Sequence, residues 1–346
     1  MQRQITTAGP LHDEKGHLIE TGYATRLIKT YDRTRIAASR FRIKEWDYYC
    51  ICNEHFALAL TIADNGYMCM DSISLLDFDQ NAQQTKSVMG FPPFVRRNLP
   101  PTSRTGDIFV RGKGYEMTFE NSGSCRRLHG WMESFPNDGS GKRIEFDVDL
   151  TEEPEESMVI VTPYLESAKA FYYNQKINCM RAAGTITCGE QTYHCDPNET
   201  FAVLDWGRGV WTYDNTWYWG SASGLADGVP FGFNVGCGFG DTSAASENML
   251  FYNGRAHKLS RVTFEIPRKN GADDYLSPWR FTSDDGRFEM EFQPVMDRSA
   301  KINLLVLCSD QHQVFGRFSG TAVLNGGEKI TVTDLMGFAE KVRNKW

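Results

Sequence analysis

The stretch FAVLDWGRGVWTYDNTWYWGSASGLADGVPFGFNVGCGFGD, residues 201–241, is the most informative part of this sequence. It holds four of the chain's eight tryptophans, which are Trp206, Trp211, Trp217 and Trp219. One acidic and one basic residue, Asp205 and Arg208, lie among these rings. Glycines recur through the stretch and allow another backbone, or a ligand, to approach closely. Such a density of large rings is typical of an aromatic core or of a pocket wall.

Asp205 is the strongest candidate for acid–base chemistry, because it stands directly beside Trp206. An indole can exclude water from a neighbouring carboxyl group, and a desolvated carboxyl group is a usable general acid. Arg208 could bind an anionic ligand through its fork of N–H donors, or it could pair with Asp205. In the second case the two charges form a bridge that stabilises an aromatic core and has no catalytic role.

Three further polar residues deserve a functional hypothesis: Asn234, Glu247 and Asn248. Glu247 and Asn248 precede an apolar run, so they are candidates for a base and for a group that binds a carbonyl oxygen. The alternative for both is a role in helix capping and turn formation. Asn234 lies within the apolar segment FGFNVG, where a buried amide needs a hydrogen-bond partner in the core or on a ligand.

Short apolar and aromatic runs alternate with turn residues along the chain, which predicts strands. Residues 46–52, 56–63 and 67–78 have strand patterns, and Asn65-Gly66 between the last two is a strong hairpin signal. Regular short strands are typical of sandwiches and barrels. A helical period is clearest at residues 242–250 and poorer at 337–345, so we expect few short helices.

The length of 346 residues favours two domains. Trp46 and Trp217 begin similar aromatic strands about half a chain apart, which suggests an internal repeat. We therefore expect two similar β domains, residues 1–165 and 166–346, and we expect the second to carry an aromatic cavity.

Composition argues against several functional classes. The net charge of −7, without a strongly basic segment, gives no electrostatic basis for nucleic-acid binding. The first residues lack the apolar run of a signal peptide, and no window has the ~18 consecutive apolar residues of a membrane helix. The nine cysteines are scattered without zinc-binding spacing. This predicts free thiols, no metal and a cytoplasmic location.

Two patterns suggest a nucleotide cofactor, but both are incomplete. Gly236-x-Gly238-x-Gly240 does not match the dinucleotide fingerprint, and neither a long helix nor a βαβ unit follows it. Tyr172-x-x-x-Lys176 matches a pair found in short-chain dehydrogenases, yet the surrounding pattern is not that of a dinucleotide-binding fold. We therefore expect no cofactor.

Several long segments carry a resemblance to known proteins. RIKEWDYY, LDWGRGVWTYDNTWYWGSASG, GFNVGCGFGDTSAASENMLFYNGRAHKL and GFAEKVRNKW resemble an uncharacterised family defined by a domain of unknown function, almost from end to end. More distantly, the chain is similar to AttH-like proteins, carotenoid 1,2-hydratases and tocopherol cyclases. This similarity implies two lipocalin-like β-barrels, or half-open sandwiches, in tandem, acting on large apolar isoprenoid substrates. It also implies protonation of a double bond by an acid in a dry, aromatic cavity.

The leading hypothesis is therefore an all-β protein that binds a lipid- or terpenoid-like molecule in an aromatic cavity. Arg208, Asn234 or Asn248 would supply the polar contact. The wall would consist of Trp206, Trp211, Trp217 and Trp219. Such a ligand also allows a transient contact with a membrane surface.

Two other hypotheses remain open. In one, the protein is a cofactor-free hydratase, cyclase or isomerase, with Asp205 as proton donor and Glu247 or Glu340 as its partner. In the other, it is a structural or interaction protein whose aromatic cluster is only core.

Overall fold

The computed structural model describes residues 2–92, 95–123, 125–135, 141–304 and 307–345, without the side chains of Leu304 and Leu307. Across these residues the regular secondary structure is almost entirely β-strand. The helical segments in this part of the chain are two 3-10 turns, Arg33–Arg35 and Arg40–Arg42. None of the described helical segments is long and apolar enough to cross a membrane.

In the described part of the chain, fifteen strands precede residue 211. They are β1 (Gly9–Pro10), β2 (Gly22–Ala24), β3 (Lys29–Thr30), β4 (Ile43–Cys52), β5 (Phe56–Asp64), β6 (Cys69–Asp77), β7 (Ala82–Gly90), β8 (Ile108–Gly112), β9 (Tyr115–Asn121), β10 (Arg126–Glu133), β11 (Arg143–Thr151), β12 (Met158–Tyr164), β13 (Ser167–Cys188), β14 (Gln191–Cys195) and β15 (Phe201–Val210).

Eleven strands follow. They are β16 (Asp214–Ala226), β17 (Val229–Cys237), β18 (Met249–Tyr252), β19 (Arg255–Lys258), β20 (Val262–Glu265), β21 (Arg268–Lys269), β22 (Ala272–Asp273), β23 (Trp279–Ser283), β24 (Phe288–Leu304), β25 (Leu307–Val323) and β26 (Lys329–Lys345).

The strands form two large antiparallel sheets. The N-terminal sheet has 13 strands in the order β7-β6-β5-β4-β15-β13-β11-β10-β9-β8, with β12 and β14 also paired to β13, and β2 paired to β12. The C-terminal sheet has nine, in the order β19-β18-β17-β16-β26-β25-β24-β23-β20. Each sheet curls into a half-barrel. The prediction of an all-β fold with two tandem lipocalin-like units is confirmed.

The two regions with helical periodicity are not helices. Residues 242–248 are irregular and lead into β18, whereas residues 337–345 belong to the long strand β26. In β26 the pairing with β16 and β25 on both sides determines the conformation, so tertiary context overrides the local pattern.

The change from one sheet to the other does not fall at residue 165. β13, β14 and β15 all pair within the N-terminal sheet, and the C-terminal sheet begins with β16 at Asp214. The sheets therefore change between Val210 and Asp214. The division of the chain into domains at residues 1–165 and 166–346 remains a prediction, and it does not coincide with the sheets.

Burial patterns show which strands lie between the two sheets. In β11 buried Ile144, Phe146 and Val148 alternate with exposed charged residues, as expected for a strand with one face in water. In β15, by contrast, all ten residues are buried. In β5 every residue except Thr61 is buried, so both faces of this strand are covered as well. The centre of the N-terminal sheet is therefore covered on one face by its own core and on the other by the C-terminal sheet.

A bulge in β13 joins the sheets. The register with β15 shifts between Ile177 and Met180, and Cys179 adopts a left-handed φ of 64°. The side chain of Asn178 donates to Ser221 Oγ at 2.8 Å and to the Phe233 carbonyl at 3.1 Å. Both acceptors belong to the C-terminal sheet, so the extra residue of the bulge brings an amide across the interface.

A candidate ligand site between the sheets

A cavity of about 370 Å³ lies between the two sheets. One wall comes from β4–β7, β13 and β15, and the other from β16 and β24–β26. Met89 on β7 and Ile302 on β24 line it and are 46% and 43% exposed, so the cavity opens to solvent between these two strands.

The assignment of an aromatic cavity to residues 166–346 remains a prediction, and residues outside that range line this cavity as well. The interior of the C-terminal half-barrel is filled by packed rings, for example Phe233 against Phe288 and Phe318 at 4.9 Å between centroids. The free space arises where this half-barrel meets the N-terminal sheet, and both sheets supply its walls.

Aromatic rings form one continuous side of the cavity. The rings that line it are Trp46, Tyr48, Tyr172, Trp211, Trp217, Trp219 and Phe239. Tyr172 stacks on Phe239 with centroids 4.9 Å apart, and Trp211 meets the edge of Trp217 at 5.1 Å. Three of the four tryptophans predicted to form a wall, Trp211, Trp217 and Trp219, therefore do line the cavity.

Gly207 explains how one of these rings is held. Trp46 lies across Gly207 on the neighbouring strand, and a Cβ atom at Gly207 would stand 2.0 Å from Trp46 Cζ2. Only glycine leaves room for the indole in this position. The glycines of the DWGRG segment thus serve the close approach of a ring to the backbone.

Asp205 forms a buried ion pair inside the cavity. It lies opposite Lys176 in the β13–β15 register, and Lys176 Nζ is 2.8 Å from Asp205 Oδ2. Asn174 donates to the other carboxylate oxygen at 2.6 Å. The Lys176 ammonium group also lies 3.7 Å from the centroid of the Trp219 ring, in cation–π contact. Of the two alternatives for Arg208, a pair with Asp205 is not found, because Asp205 pairs with Lys176.

Glu340 is a second carboxyl group in the cavity. It accepts hydrogen bonds from Trp217 Nε1 at 2.9 Å and from Gln313 Nε2 at 3.1 Å. Burial raises the pKa of Glu340 to about 7, although the Trp217 hydrogen bond and the charges of Lys176 and Arg298 act in the opposite direction. Glu340 can therefore hold and release a proton near neutral pH.

Asn234, Glu247 and Asn248 lie behind the aromatic wall and do not line the cavity. Asn234 accepts a hydrogen bond from Trp219 Nε1 at 2.7 Å and donates to the Glu247 carbonyl at 2.9 Å. Asn248 accepts from the Gly236 N–H at 2.7 Å. These amides therefore support the wall from behind. Burial raises the pKa of the Glu247 carboxyl group to about 7.

Trp206 and Arg208 face away from the cavity. Successive side chains of a strand point to opposite faces, so residues 206 and 208 lie on the face opposite Asp205 and Gly207. Trp206 is fully buried against Tyr173. Arg208 pairs with Asp47 at 2.9 Å and donates to the carbonyls of Trp46 and Pro100 at 2.8 Å. The expectation that both contact a ligand in the aromatic cavity is not supported by their position.

No group of three or more His, Cys, Asp or Glu side chains in the described part of the chain is arranged to hold a metal ion. Asp205, one of the carboxylates that line the cavity, pairs with Lys176.

The family follows from the sequence as a whole. One family model, described as Domain of unknown function (DUF2804), matches residues 2–346. The chain belongs to this family. No curated protein matches the sequence of this DUF2804 member.

Three solved structures are similar to this DUF2804 chain. Kievitone hydratase from Nectria haematococca has 10% sequence identity and a TM-score of 0.46, with 88% of each chain covered. A putative AttH from Nitrosomonas europaea has 14% identity and a TM-score of 0.46, with 88% of this chain and 93% of that chain covered. CghA, solved with Sch210972, has 9% identity and a TM-score of 0.45, with 97% of each chain covered.

Sequence reasoning missed several residues of the DUF2804 cavity. Tyr172 and Lys176 match a dehydrogenase pair in the sequence, yet residues i and i+4 of a strand share a face, and both line the cavity. Trp46 was noted only as part of a repeat. Arg298 and Gln313 carry no local signal, because their position depends on how β24 and β25 pack against the N-terminal sheet.

Proposed function

We propose that the protein binds a hydrophobic small molecule, lipid- or terpenoid-like in its apolar part, in the cavity between the two sheets. The observation that carries this proposal is the cavity itself, about 370 Å³ in volume and walled by aromatic rings. Ligand sites in proteins are typically concave, mostly apolar and about 300–1,000 Å³ in volume, with a few polar groups that fix orientation. Lys176, Asp205 and Glu340 supply those polar groups here.

The same cavity weighs against a purely structural role for the aromatic cluster. Protein interiors are close-packed, and voids larger than a water molecule are few. An unfilled space of this size leaves ring surfaces without contacts, which costs stability unless a ligand restores them. The filled core of the C-terminal half-barrel shows what a purely structural cluster looks like in this chain.

A fluorescence titration with N-phenylnaphthylamine tests the proposal. Thr61 lines the cavity on β5, so Thr61→Trp places an indole in the free space. Thr263 on β20 is exposed, so Thr263→Trp is the matched control. We expect wild type and Thr263→Trp to bind the probe equally, and Thr61→Trp to bind it about tenfold more weakly or worse. Equal binding by all three proteins would contradict the proposal.

The buried position of Glu340 in the cavity favours a second candidate function, that of a cofactor-free hydratase, cyclase or isomerase. A carboxyl group with a pKa near 7 in an aromatic cavity is suited to general acid catalysis on an apolar substrate. In this proposal Glu340 donates the proton. Asp205 pairs with Lys176 and orients that side chain. This assignment revises the hypothesis that Asp205 is the proton donor.

Deuterium exchange tests the catalytic proposal. Protonation of a double bond in heavy water places deuterium on carbon, which mass spectrometry detects in a compound extracted from the purified protein. We expect wild type to incorporate deuterium and Glu340→Gln to bind the compound without incorporating it. If both proteins leave the compound unlabelled, or both label it equally, Glu340 is not the donor.

A further inference from the structure

Hydroxyl groups line the cavity on β5, β6 and β7. They belong to Thr61, Ser72, Ser74, Thr85 and Ser87. The registers place Thr61 beside Ser72, Ser72 beside Ser87, and Ser74 beside Thr85. Side chains that pair across strands share one face of the sheet. Three adjacent strands therefore present a continuous hydroxyl surface to the same space that the tryptophans line.

The C-terminal sheet extends this polar surface. Ser309, Gln311 and Gln313 on β25 and Asn344 on β26 line the cavity as well. The cavity thus has an aromatic side and an oxygen- and amide-rich side. The polar side would weaken the binding of a plain hydrocarbon. Such a ligand displaces water from the hydroxyl groups and offers them no hydrogen bond in return, which costs binding free energy.

The hydroxyl groups retain capacity for a ligand. Ser72 and Ser87 share one hydrogen bond with their oxygens 2.8 Å apart. Thr85 donates to Ser74 Oγ at 2.8 Å, and Arg298 donates to the same oxygen at 2.8 Å. A hydroxyl group has one donor and two acceptor positions, so these contacts leave acceptor positions free on Ser87 and Thr85. Both residues are exposed towards the opening of the cavity.

We propose that the ligand is an oxygenated ring compound, with a carbon face that packs on the tryptophans and several hydroxyl groups along one edge. This inference rests on the proposed function and specifies its ligand class. Indole rings pack on aromatic rings and on the C–H faces of sugars, whereas the edge oxygens find partners in Thr61, Ser72 and Ser87. Two classes of compound combine a carbon face with hydroxyl groups along one edge: polyphenols and the sugar part of glycosides.

Displacement of N-phenylnaphthylamine by naphthalene, a naphthalenediol and a naphthyl glucoside tests the inference in the full-length protein. We expect at least one hydroxylated probe to bind about tenfold more tightly than naphthalene. The diol identifies the polyphenol source, and the glucoside identifies the sugar source. Thr61→Val and Ser72→Ala should each weaken the preferred hydroxylated probe about 3- to 10-fold and leave naphthalene within about twofold. Thr263→Val, an exposed site on β20, is the control.

Two kinds of outcome overturn the inference. One excludes only the ligand class, and the other also excludes the proposed function. If naphthalene binds as tightly as both hydroxylated probes, or if the preference survives Thr61→Val and Ser72→Ala, the ligand class is wrong while the cavity still binds ligands. If N-phenylnaphthylamine and all three competitors fail to bind wild type, the proposed function itself fails.

Discussion

Lys176 and Asp205 form the charged centre of the site, and both are almost completely buried. A buried ion pair adds little net stability when intact, but removal of one partner leaves an unpaired charge in an aromatic environment. Lys176 contacts the Trp219 ring as well as Asp205, so it remains buried when the carboxylate is removed.

We therefore predict that Asp205→Asn lowers the free energy of unfolding by about 3–5 kcal/mol. The double variant Asp205→Asn/Lys176→Met should recover a large part of this loss, because it removes the unpaired ammonium group. Urea unfolding of the two single variants and the double variant measures the coupling. If the effects of the single variants simply add, the pair is not coupled and the proposed centre is incorrect.

Glu340 gives a pH dependence whose sign is fixed by its environment. The folded-state pKa of about 7 exceeds the usual 4.5, so folding takes up a proton between these pH values. Because of Glu340, the free energy of unfolding falls by about 3 kcal/mol as the pH rises from about 4.5 to about 7. Above pH 7 this decrease is complete.

We predict that Glu340→Gln is about as stable as wild type at pH ~5 and more stable than wild type at pH ~8. The amide stays neutral and avoids the cost of a buried carboxylate. Burial raises the pKa of Glu247 as well, so Glu247 also makes stability depend on pH. Wild type and Glu340→Gln both contain Glu247, so its contribution cancels when the two proteins are compared. An unchanged stability difference between the two pH values would show that Glu340 does not titrate in this range.

At the scale of elements, β15 shows how much the sequence can predict. The DWGRG segment was interpreted as a single aromatic site, yet the alternation of a strand puts Asp205 and Gly207 on one face and Trp206 and Arg208 on the other. That separation was available from the sequence once a strand was assumed. The partners of Asp205 and Arg208 could not be predicted in this way. Lys176 and Asp47 lie on other strands, and only the order of strands in the sheet shows that these strands are neighbours of β15.

The β13 bulge is the element that attaches the two sheets, and it offers a direct test. Asn178→Ala removes the amide that bonds Ser221 Oγ and the Phe233 carbonyl, both buried in the C-terminal sheet. We predict a loss of about 1–3 kcal/mol in the free energy of unfolding, since two buried acceptors lose the amide that donates to them. Urea unfolding of Asn178→Ala beside Asn303→Ala, at an exposed position on β24, checks this. Equal stabilities of the two variants would exclude the bulge as an important contact.

At the scale of the whole molecule, the sequence predicted two β units in tandem and an aromatic cavity, but it did not indicate that both sheets line the space between them. The reason is physical. Strand patterns report which residues are buried, but they do not distinguish burial inside one half-barrel from burial between two. Residues of β4, β5 and β15 are buried on both faces, and this two-sided burial marks the interface between the sheets.

A cavity shared by both sheets also predicts how a ligand affects stability. A ligand that binds only the folded state at about 100 times its Kd raises the free energy of unfolding by about 2.7 kcal/mol. We predict this gain for wild type and Thr263→Trp with N-phenylnaphthylamine, and a gain of about 1.4 kcal/mol or less for Thr61→Trp under the same conditions. Thermal unfolding with and without the probe provides the measurement. A similar gain in Thr61→Trp would locate the binding site outside the cavity.

Native mass spectrometry of the purified protein, followed by organic extraction, tests the central claim most directly. The account predicts that wild type carries, or takes up from a mixture of polyphenols, glycosides and terpenoids, one small molecule for each chain. It also predicts that Thr61→Trp, folded as judged by its circular dichroism, carries none. The same bound mass on Thr61→Trp, or wild type that remains empty with every compound, would contradict a ligand site between the two sheets.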